Sequence, residues 1–338
     1  MADTLPADMF IPEVAREYAR QEFVENLSMM ELMGPGADSP IQLVNDPAFG
    51  SKGEYIQRPV FKRIASLGTR RDLTSTSAVT DLELTVGNEK AVKVHKKLGG
   101  VSFSLDAVRL SGAVGLSMEI GKQFGENAAT LVRDTLLSTI RGAIAAMTTT
   151  AHTHDVWNAS ARTNISPELI QDWLDKFDDR QEKVSALIIH NKMMGDLIKN
   201  YLGRGVQGVV DQQLQRKIIT ETLGRRVHHL TSSILTTADA GNDKYRAVAL
   251  GPGAVELGFS LPLEIYPPFL DTSKEQVMVR ARADIDYWVG VKGMGYNSGA
   301  GGANPTDATL LSSANWSVVC SDAREVLLGE LVANYGNN

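Results

Sequence analysis

The chain has 338 residues, 43% of them hydrophobic and 22% charged, enough for one large domain or two smaller ones, and this composition excludes disorder, collagen and a membrane protein. A net charge of −6 argues against gripping nucleic acid along a broad basic face, although not against merely enclosing it. The single cysteine, Cys320, leaves no room for an intrachain disulfide or a cysteine-rich zinc site, and beside Val318 and Val319 it reads as a small buried hydrophobe.

The start, MADTLPADMF, lacks the basic and apolar regions of a secretory signal, and no apolar run approaches the roughly 20 residues that cross a bilayer. Residues 1–50 read as an arm. Ile11-Pro12-Glu13 starts a helix, with Pro at the first position and an acid near the positive end. Val14, Tyr18, Phe23, Leu27 and Met30 give it an apolar stripe, and Gly34-Pro35-Gly36 stops it. The following ADSPIQLVNDPAFGSKG is extended or turning. Such an arm cannot bury its own stripe, so it must lie on the rest of the chain or on a neighbour.

Residues 54–104 are strand-rich and polar. EYIQRPVFKRI and AVKVHKK carry β-branched and aromatic residues, separated by the Ser/Thr-rich IASLGTRRDLTSTSAVTD. An isolated hairpin is marginal in water. The segment is therefore either a long two-stranded protrusion lying against another molecule, or a solvated loop excursion. Residues 115–148 hold the clearest helix, with Leu116, Ile120, Phe124, Ala128, Val132, Leu136, Ile140 and Ile144 recurring every fourth residue and Leu131 and Leu137 broadening the stripe. Its expected length is about 45–50 Å, suited to the spine of something extended.

Residues 151–263 read as a separate α/β region. Ser166-Pro167-Glu168 starts a helix to about Arg180, VSALIIH is a buried strand and NKMMGDLIKNYL another helix. GRGVQGV follows as a glycine-punctuated loop; GRRVHHLTSSIL, YRAVALG and AVELGFS look like strands. EQVMVRARADIDYWVGV is then a long strand, with Val277, Val279, Ala281, Ala283, Ile285, Tyr287 and Val289 on one face and Met278, Arg280, Arg282, Asp284, Asp286 and Trp288 on the other.

Four places invite a chemical reading. His152, His154 and Asp155 come nearest to a metal cluster, but no HExxH or other ligand spacing completes them, so a hydrogen-bonded loop is preferred. His228 and His229, adjacent on a strand, face opposite ways. Asp284 and Asp286 share a face as paired carboxylates would, yet Arg280 and Arg282 precede them there, which fits a charge ladder for pairing across strands or subunits. Finally, the glycines of DIDYWVGVKGMGYNSGAGG raise a phosphate loop. A P-loop needs GxxxxGK followed by Ser or Thr and a helix, whereas Lys292 is followed by Gly293-Met294-Gly295 and later Asn304-Pro305. Turn and close-approach glycines are the better reading.

In this order the parts resemble the major capsid proteins of tailed bacteriophages, with the Hong Kong-type capsid fold. Local matches are LGRRVHHLTSSI, YRAVALGPGAVELGF and the ending NPTDATLLSSANW. The resemblance implies an α+β fold with residues 1–50 as N-terminal arm, 51–100 as E-loop, 101–150 and 264–300 as a peripheral domain built on the spine helix and long strands, and 151–263 as an axial α/β domain. Residues 301–338 are a C-terminal segment without an assigned domain. It implies a non-enzymatic coat protein, without cofactor or metal, that assembles with itself as hexamers and pentamers. The icosahedral head would enclose double-stranded DNA without sequence-specific binding and be built in the bacterial cytoplasm, away from any membrane. Because the arm helix comes almost first, scaffolding is expected from a separate protein, with a portal protein as a further partner; whether a decoration protein binds is left open by the sequence. Candidate subunit contacts are Arg70 and Arg71 at the E-loop tip, and Arg280, Arg282, Asp284 and Asp286 on the long strand. Some relatives crosslink an E-loop Lys to an Asn; Lys62, Lys90, Lys93, Lys96 and Lys97 are available, but nothing in the sequence identifies an acceptor or an acidic catalyst, and no crosslink is assigned. The rival readings are an encapsulin-like nanocompartment shell and an α/β metal-dependent enzyme using His152, His154 and Asp155.

Overall fold

The computed structural model describes residues 10–27, 29–45, 54–62, 84–104, 112–147, 152–158, 163–203, 224–239, 243–271, 278–297, 299, 302–321 and 325–334. Helix α1 (Pro12–Asn26) is followed by a 3-10 turn and two short strands, β1 (Met33–Gly34) and β2 (Ile41–Leu43). Strands β3 (Tyr55–Phe61) and β4 (Val86–Ser104) pair antiparallel, and Ala113–Ala146 forms the 34-residue helix α2. Next come β5 (Thr153–Asp155), α3 (Pro167–Asp175), β6 (Ala186–His190), α4 (Asn191–Gly203), β7 (Arg226–Leu230), β8 (Thr236–Thr237) and β9 (Lys244–Leu250). They precede β10 (Val255–Ile265), β11 (Phe269–Asp271), β12 (Met278–Val291), β13 (Met294–Tyr296), α5 (Asp307–Leu311), β14 (Trp316–Val318) and β15 (Leu328–Asn334).

The strands form two sheets. The larger has nine, ordered β1-β2-β10-β12-β4-β13-β14 with β11 on β12 and β3 on β4; the smaller has six, ordered β5-β15-β9-β6-β7 with β8 on β9. At the centre of the large sheet β12 runs antiparallel to β4 from Val289 opposite Val92 to Met278 opposite Ser104, interrupted by a bulge at Leu98–Val101. The expected alternation on β12 is there. Val279, Ala281, Ala283, Ile285, Tyr287 and Val289 are buried, while Met278, Arg280, Arg282, Asp284 and Asp286 are half-buried; Val277 lies outside the described residues. Trp288, on the charged face, is nevertheless buried, with the Lys93 ammonium 5.6 Å above its ring. Sheet membership does not follow chain order: β10 pairs with β12 in the large sheet, and β15 with β9 in the small one.

Helix α2 is about 51 Å long, from its 34 residues at a rise of about 1.5 Å each. The every-fourth-residue stripe from Ile120 to Ile144 is buried. Toward its C-terminal end Thr135, Ser138, Thr139, Gly142 and Ala143 are buried as well, because this part runs past both sheets and α5. The other face of the small sheet is covered by α3 and α4, through Trp173, Leu174, Met193 and Leu197 against Leu187, Ile189, Ala247 and Leu331. Ser166 caps α3 by accepting a hydrogen bond from Leu169 N–H at 3.3 Å. The helix ends at Asp175, and a 3-10 turn entered through Asp178 (φ +48°) replaces its expected run to Arg180.

Helix α1 starts at Pro12 as expected, but its packing face differs. Of the expected stripe Leu27 is buried, but Val14, Tyr18 and Phe23 are half-buried and Met30 is exposed, and it is Ala15 and Ala19 that are buried against α2. The cause is backbone proximity. A Cβ on Gly121 would sit 2.4 Å from the Ala15 carbonyl oxygen, and one on Gly125 would sit 2.4 Å from that of Ala19. Two helices that close admit only small residues along the seam, so the large side chains splay to its flanks; Phe23 meets Phe259 edge-on at 6.0 Å. Ser117 Oγ on α2 accepts the Ile11 N–H at 2.8 Å, fixing the entry to α1.

Candidate intersubunit surface

The charged face of β12 is largely satisfied within the chain. Arg282 forks onto Asp284, with Nη2 2.6 Å from one carboxylate oxygen and Nε 3.2 Å from the other, and lies 5.3 Å from the Tyr266 ring centre. The hydrogen bonds from Arg282 hold the Asp284 carboxyl below its usual range. Asp286 meets His95 Nδ1 at 2.9 Å across the β12–β4 register. Arg280 stands opposite Ser102 and Phe269. Arg282, Asp284 and Asp286 thus have partners within the chain, in a surface of mixed charge that also holds Lys97 and Glu264 opposite Asp284. Arg70 and Arg71 lie outside the described residues.

At its outer end the β3–β4 hairpin exposes Phe61, Leu84 and Val86 at 67%, 56% and 53%, with Phe61 directly opposite Val86. At its base it is tied to the rest of the large sheet. Arg58 pairs with Glu256 on β10, and Tyr55 stacks on Tyr296 with ring centres 6.2 Å apart. The Glu89 carboxylate accepts the Gly293 N–H at 2.7 Å. Gly293 has φ +81°, and a Cβ there would lie 3.0 Å from Val326 Cγ2; at Gly295 it would lie 3.0 Å from Val319 Cγ2 and 3.1 Å from the Asn88 carbonyl oxygen. These glycines do what the sequence suggested: they turn the chain and lay β13 against its neighbours.

A strap over residues 302–316 follows, and here sequence reasoning missed the working residues. Asn304 (φ +48°) turns its side-chain amide onto the edge of β4, where Oδ1 accepts the His95 N–H at 2.9 Å and Nδ2 donates to the His95 carbonyl at 3.3 Å. It takes over that edge from β3, whose approach ends with Lys93 N–H donating to the Glu54 carbonyl at 2.9 Å. Asp307 receives Lys96 Nζ at 3.0 Å on both oxygens and Thr135 Oγ1 at 2.7 Å, and Tyr287 donates to Thr135 at 2.8 Å. Trp316 Nε1 donates to the Leu310 carbonyl at 2.8 Å over Gly142, where a Cβ would come within 2.0 Å of that oxygen. The available signal was Thr306-Asp307 before Ala308-Thr309-Leu310, a capped helix start; Thr306 Oγ1 accepts the Thr309 N–H at 3.2 Å.

His152 serves packing. His152 stacks on Phe177 at 4.4 Å with Nδ1 3.0 Å from the Leu328 carbonyl, and Asp155 accepts the Trp157 N–H at 3.0 Å. Burial pushes the His154 imidazole below its ordinary value, with Lys176 adding to the effect. Among the described residues no group of three or more His, Cys, Asp and Glu is placed to hold a metal ion. The small sheet is locked to α2 by Glu330, which lies 3.1 Å from both Arg141 Nε and Arg246 Nε.

Residues 13–326 match the family model of the Gp13-like proteins, described as major capsid protein 13-like. The chain belongs to that family. Among solved structures this capsid protein is similar to the capsid of Ralstonia phage GP4, at 10% identity over 93% of this chain and 91% of that one, with a TM-score of 0.59. It is also similar to the capsid asymmetric unit of cyanophage Pam1, at 9% identity over 93% and 94% of the two chains with a TM-score of 0.57. A third likeness is to Mycobacterium phage Bobi, at 10% identity over 90% and 89% with a TM-score of 0.53. At such identities the likeness is one of fold, the Hong Kong-type α+β fold expected from the sequence. No curated protein matches. The capsid protein is therefore a structural subunit that assembles with copies of itself into a phage head shell.

Proposed function

We propose that this capsid protein joins as hexamers and pentamers into an icosahedral head around the double-stranded DNA of a tailed phage, built in the bacterial cytoplasm. The observation that carries the subunit-overlap part of this reading is the β3–β4 hairpin, with Phe61, Leu84 and Val86 exposed on it. A ribbon of that kind is marginal alone and gains by lying on another surface. A net charge of −6 supports DNA that is contained rather than gripped. A scaffolding protein and a portal protein are the further partners of this reading. We assign residues 1–50 to the arm, 51–100 to the E-loop, 101–150 and 264–300 to the peripheral domain and 151–263 to the axial domain. Pairing of β10 in the large sheet and β15 in the small one supports moving the second boundary back to Val255 and giving Leu328–Asn334 to the axial domain.

Subunit contacts are assigned to Arg70 and Arg71, and to the face carrying Arg280, Arg282, Asp284 and Asp286. Replacing Arg70 and Arg71 together by Ala is expected to leave a folded soluble subunit that forms few or aberrant shells in negative-stain electron microscopy. Stable shells of normal size from that double variant overturn the assignment of the tip. The same assay on Arg280→Ala tests the strand face.

A further inference from the structure

Arg280 and Arg282 lie two residues apart on the charged face of β12, a rise of about 6.6–6.8 Å. On one side each meets an aromatic ring. Phe269, directly opposite Arg280 in the register, is 52% exposed, and the Arg282 guanidinium lies 5.3 Å from the Tyr266 ring centre. On the β4 side stand Ser102 and the bulge holding Gly99 and Gly100, where an added Cβ would meet nothing within 4 Å. Neither glycine has a positive φ, so no turn requires them; their effect is to leave that side of the arginines uncovered. The fork from Arg282 to Asp284 engages Nε and Nη2, which leaves Nη1 for another acceptor. Two arginines between an aromatic wall and an open edge have the composition of a binding trough.

Helix α1 carries the complement. Because Ala15 and Ala19 turn its inner face onto α2, Glu13, Glu17, Arg20, Gln21 and Val24 are exposed on the outer one, Val24 at 50%. Glu13 and Glu17 are four residues apart, about 6 Å along the axis, close to the spacing of the two arginines. We propose that the Arg280–Arg282 trough binds the outer face of α1 of a second copy of this chain, with Glu17 on Arg280 and Glu13 on Arg282; this deepens the shell reading and rests on it. Charge selects the order. It carries the end of α1 past Met278 and brings Arg20 beside the Phe269 ring, which favours a cation. The reverse order would lay Glu25 over Asp286. A second copy is the occupant because the chain assembles with itself and both halves of the contact are on it. Two different patches meeting head to tail form the kind of contact that closes rings. Exposed ion pairs are individually weak, so covering Phe269 and Val24 and repeating the contact around a shell supply the rest.

A charge swap tests this. Glu17→Arg and Arg280→Glu are each expected to lose shells in negative-stain electron microscopy, with the urea midpoint of the unassembled subunit unchanged. Both together restore opposite charges and are expected to recover shells. Glu17→Cys with Arg280→Cys, in a Cys320→Ala background, is expected to give a reducible intersubunit dimer that neither substitution gives alone. Shells from both single charge variants, a loss that the swap does not reverse, or intact shells without the crosslink overturn the contact. Shells of the natural chain test the underlying reading separately, so a failed contact leaves that reading standing.

Discussion

The seam between α1 and α2 makes a demand that runs against helix propensity, which gives Gly125→Ala a decisive sign. Alanine in place of glycine inside a helix ordinarily gains about 0.5–1 kcal/mol. At Gly125, however, the new Cβ would lie 2.4 Å from the Ala19 carbonyl oxygen and 2.9 Å from both Glu22 Cβ and Phe23 N. Two of these three atoms are backbone, so no rotamer change relieves them and α1 itself must retreat by about 1 Å to restore ordinary contact. Overpacking of this kind costs about 1–3 kcal/mol, and the retreat also stretches the Ile11–Ser117 bond. The balance is a net loss of about 1–2 kcal/mol. Urea denaturation of the unassembled subunit measures it, with Gly195→Ala on α4 as control, since a Cβ there meets nothing within 4 Å. Gly121→Ala and Gly125→Ala together should cost less than their sum, because one displacement of α1 clears both contacts. A Gly125→Ala chain as stable as the control would refute the reasoning.

Removing Glu330 leaves two guanidinium groups facing each other; Arg141, Arg246 and Glu330 side chains are 15%, 11% and 13% exposed, so Glu330→Ala is expected to cost about 3 kcal/mol, visible as a lower urea midpoint. Asn304→Ala opens both backbone groups of His95 on a partly exposed strand edge and should cost about 1 kcal/mol, with faster amide exchange confined to that edge. Burial pushes the Tyr296 phenol up to about 12, with Tyr55 adding to it, and pushes Tyr287 higher still. Both groups favour their protonated form in the folded chain, so stability present below pH 10 should decline as pH rises from there toward 12. An ultraviolet phenolate titration in which every tyrosine of the folded chain ionises near pH 10 would contradict this.

What could be read from the sequence was what has a period. The two faces of β12 follow from strict alternation, and α2 from apolar residues four apart, because each signal repeats many times within one element. The packing face of α1 had no such basis: Ala15 and Ala19 matter only because Gly121 and Gly125, over a hundred positions away, let the two backbones meet. Membership of β15 in the small sheet is likewise a non-local fact, set by seven register pairs with β9 that no pattern within Leu328–Asn334 contains. At the candidate surface the charges were found by their alternation, while their internal pairing depended on neighbours such as His95. Asn304 and Asp307 belong to no periodic pattern, and their role lies in tertiary contacts with β4 and α2.

The strap from Gly302 to Trp316 visits the hairpin first and the long helix afterward: Tyr55 donates to Gly302, His95 and Lys96 hold Asn304 and Asp307, and Thr135 and Gly142 receive the remainder. It therefore behaves as a tie-rod between two levers. The hairpin cannot swing about its root unless the rod slides along the helix or one of its fastenings lets go. A pull on the hairpin would thus reach the middle of the helix through Asp307, which Lys96 and Thr135 hold from opposite sides of the strap.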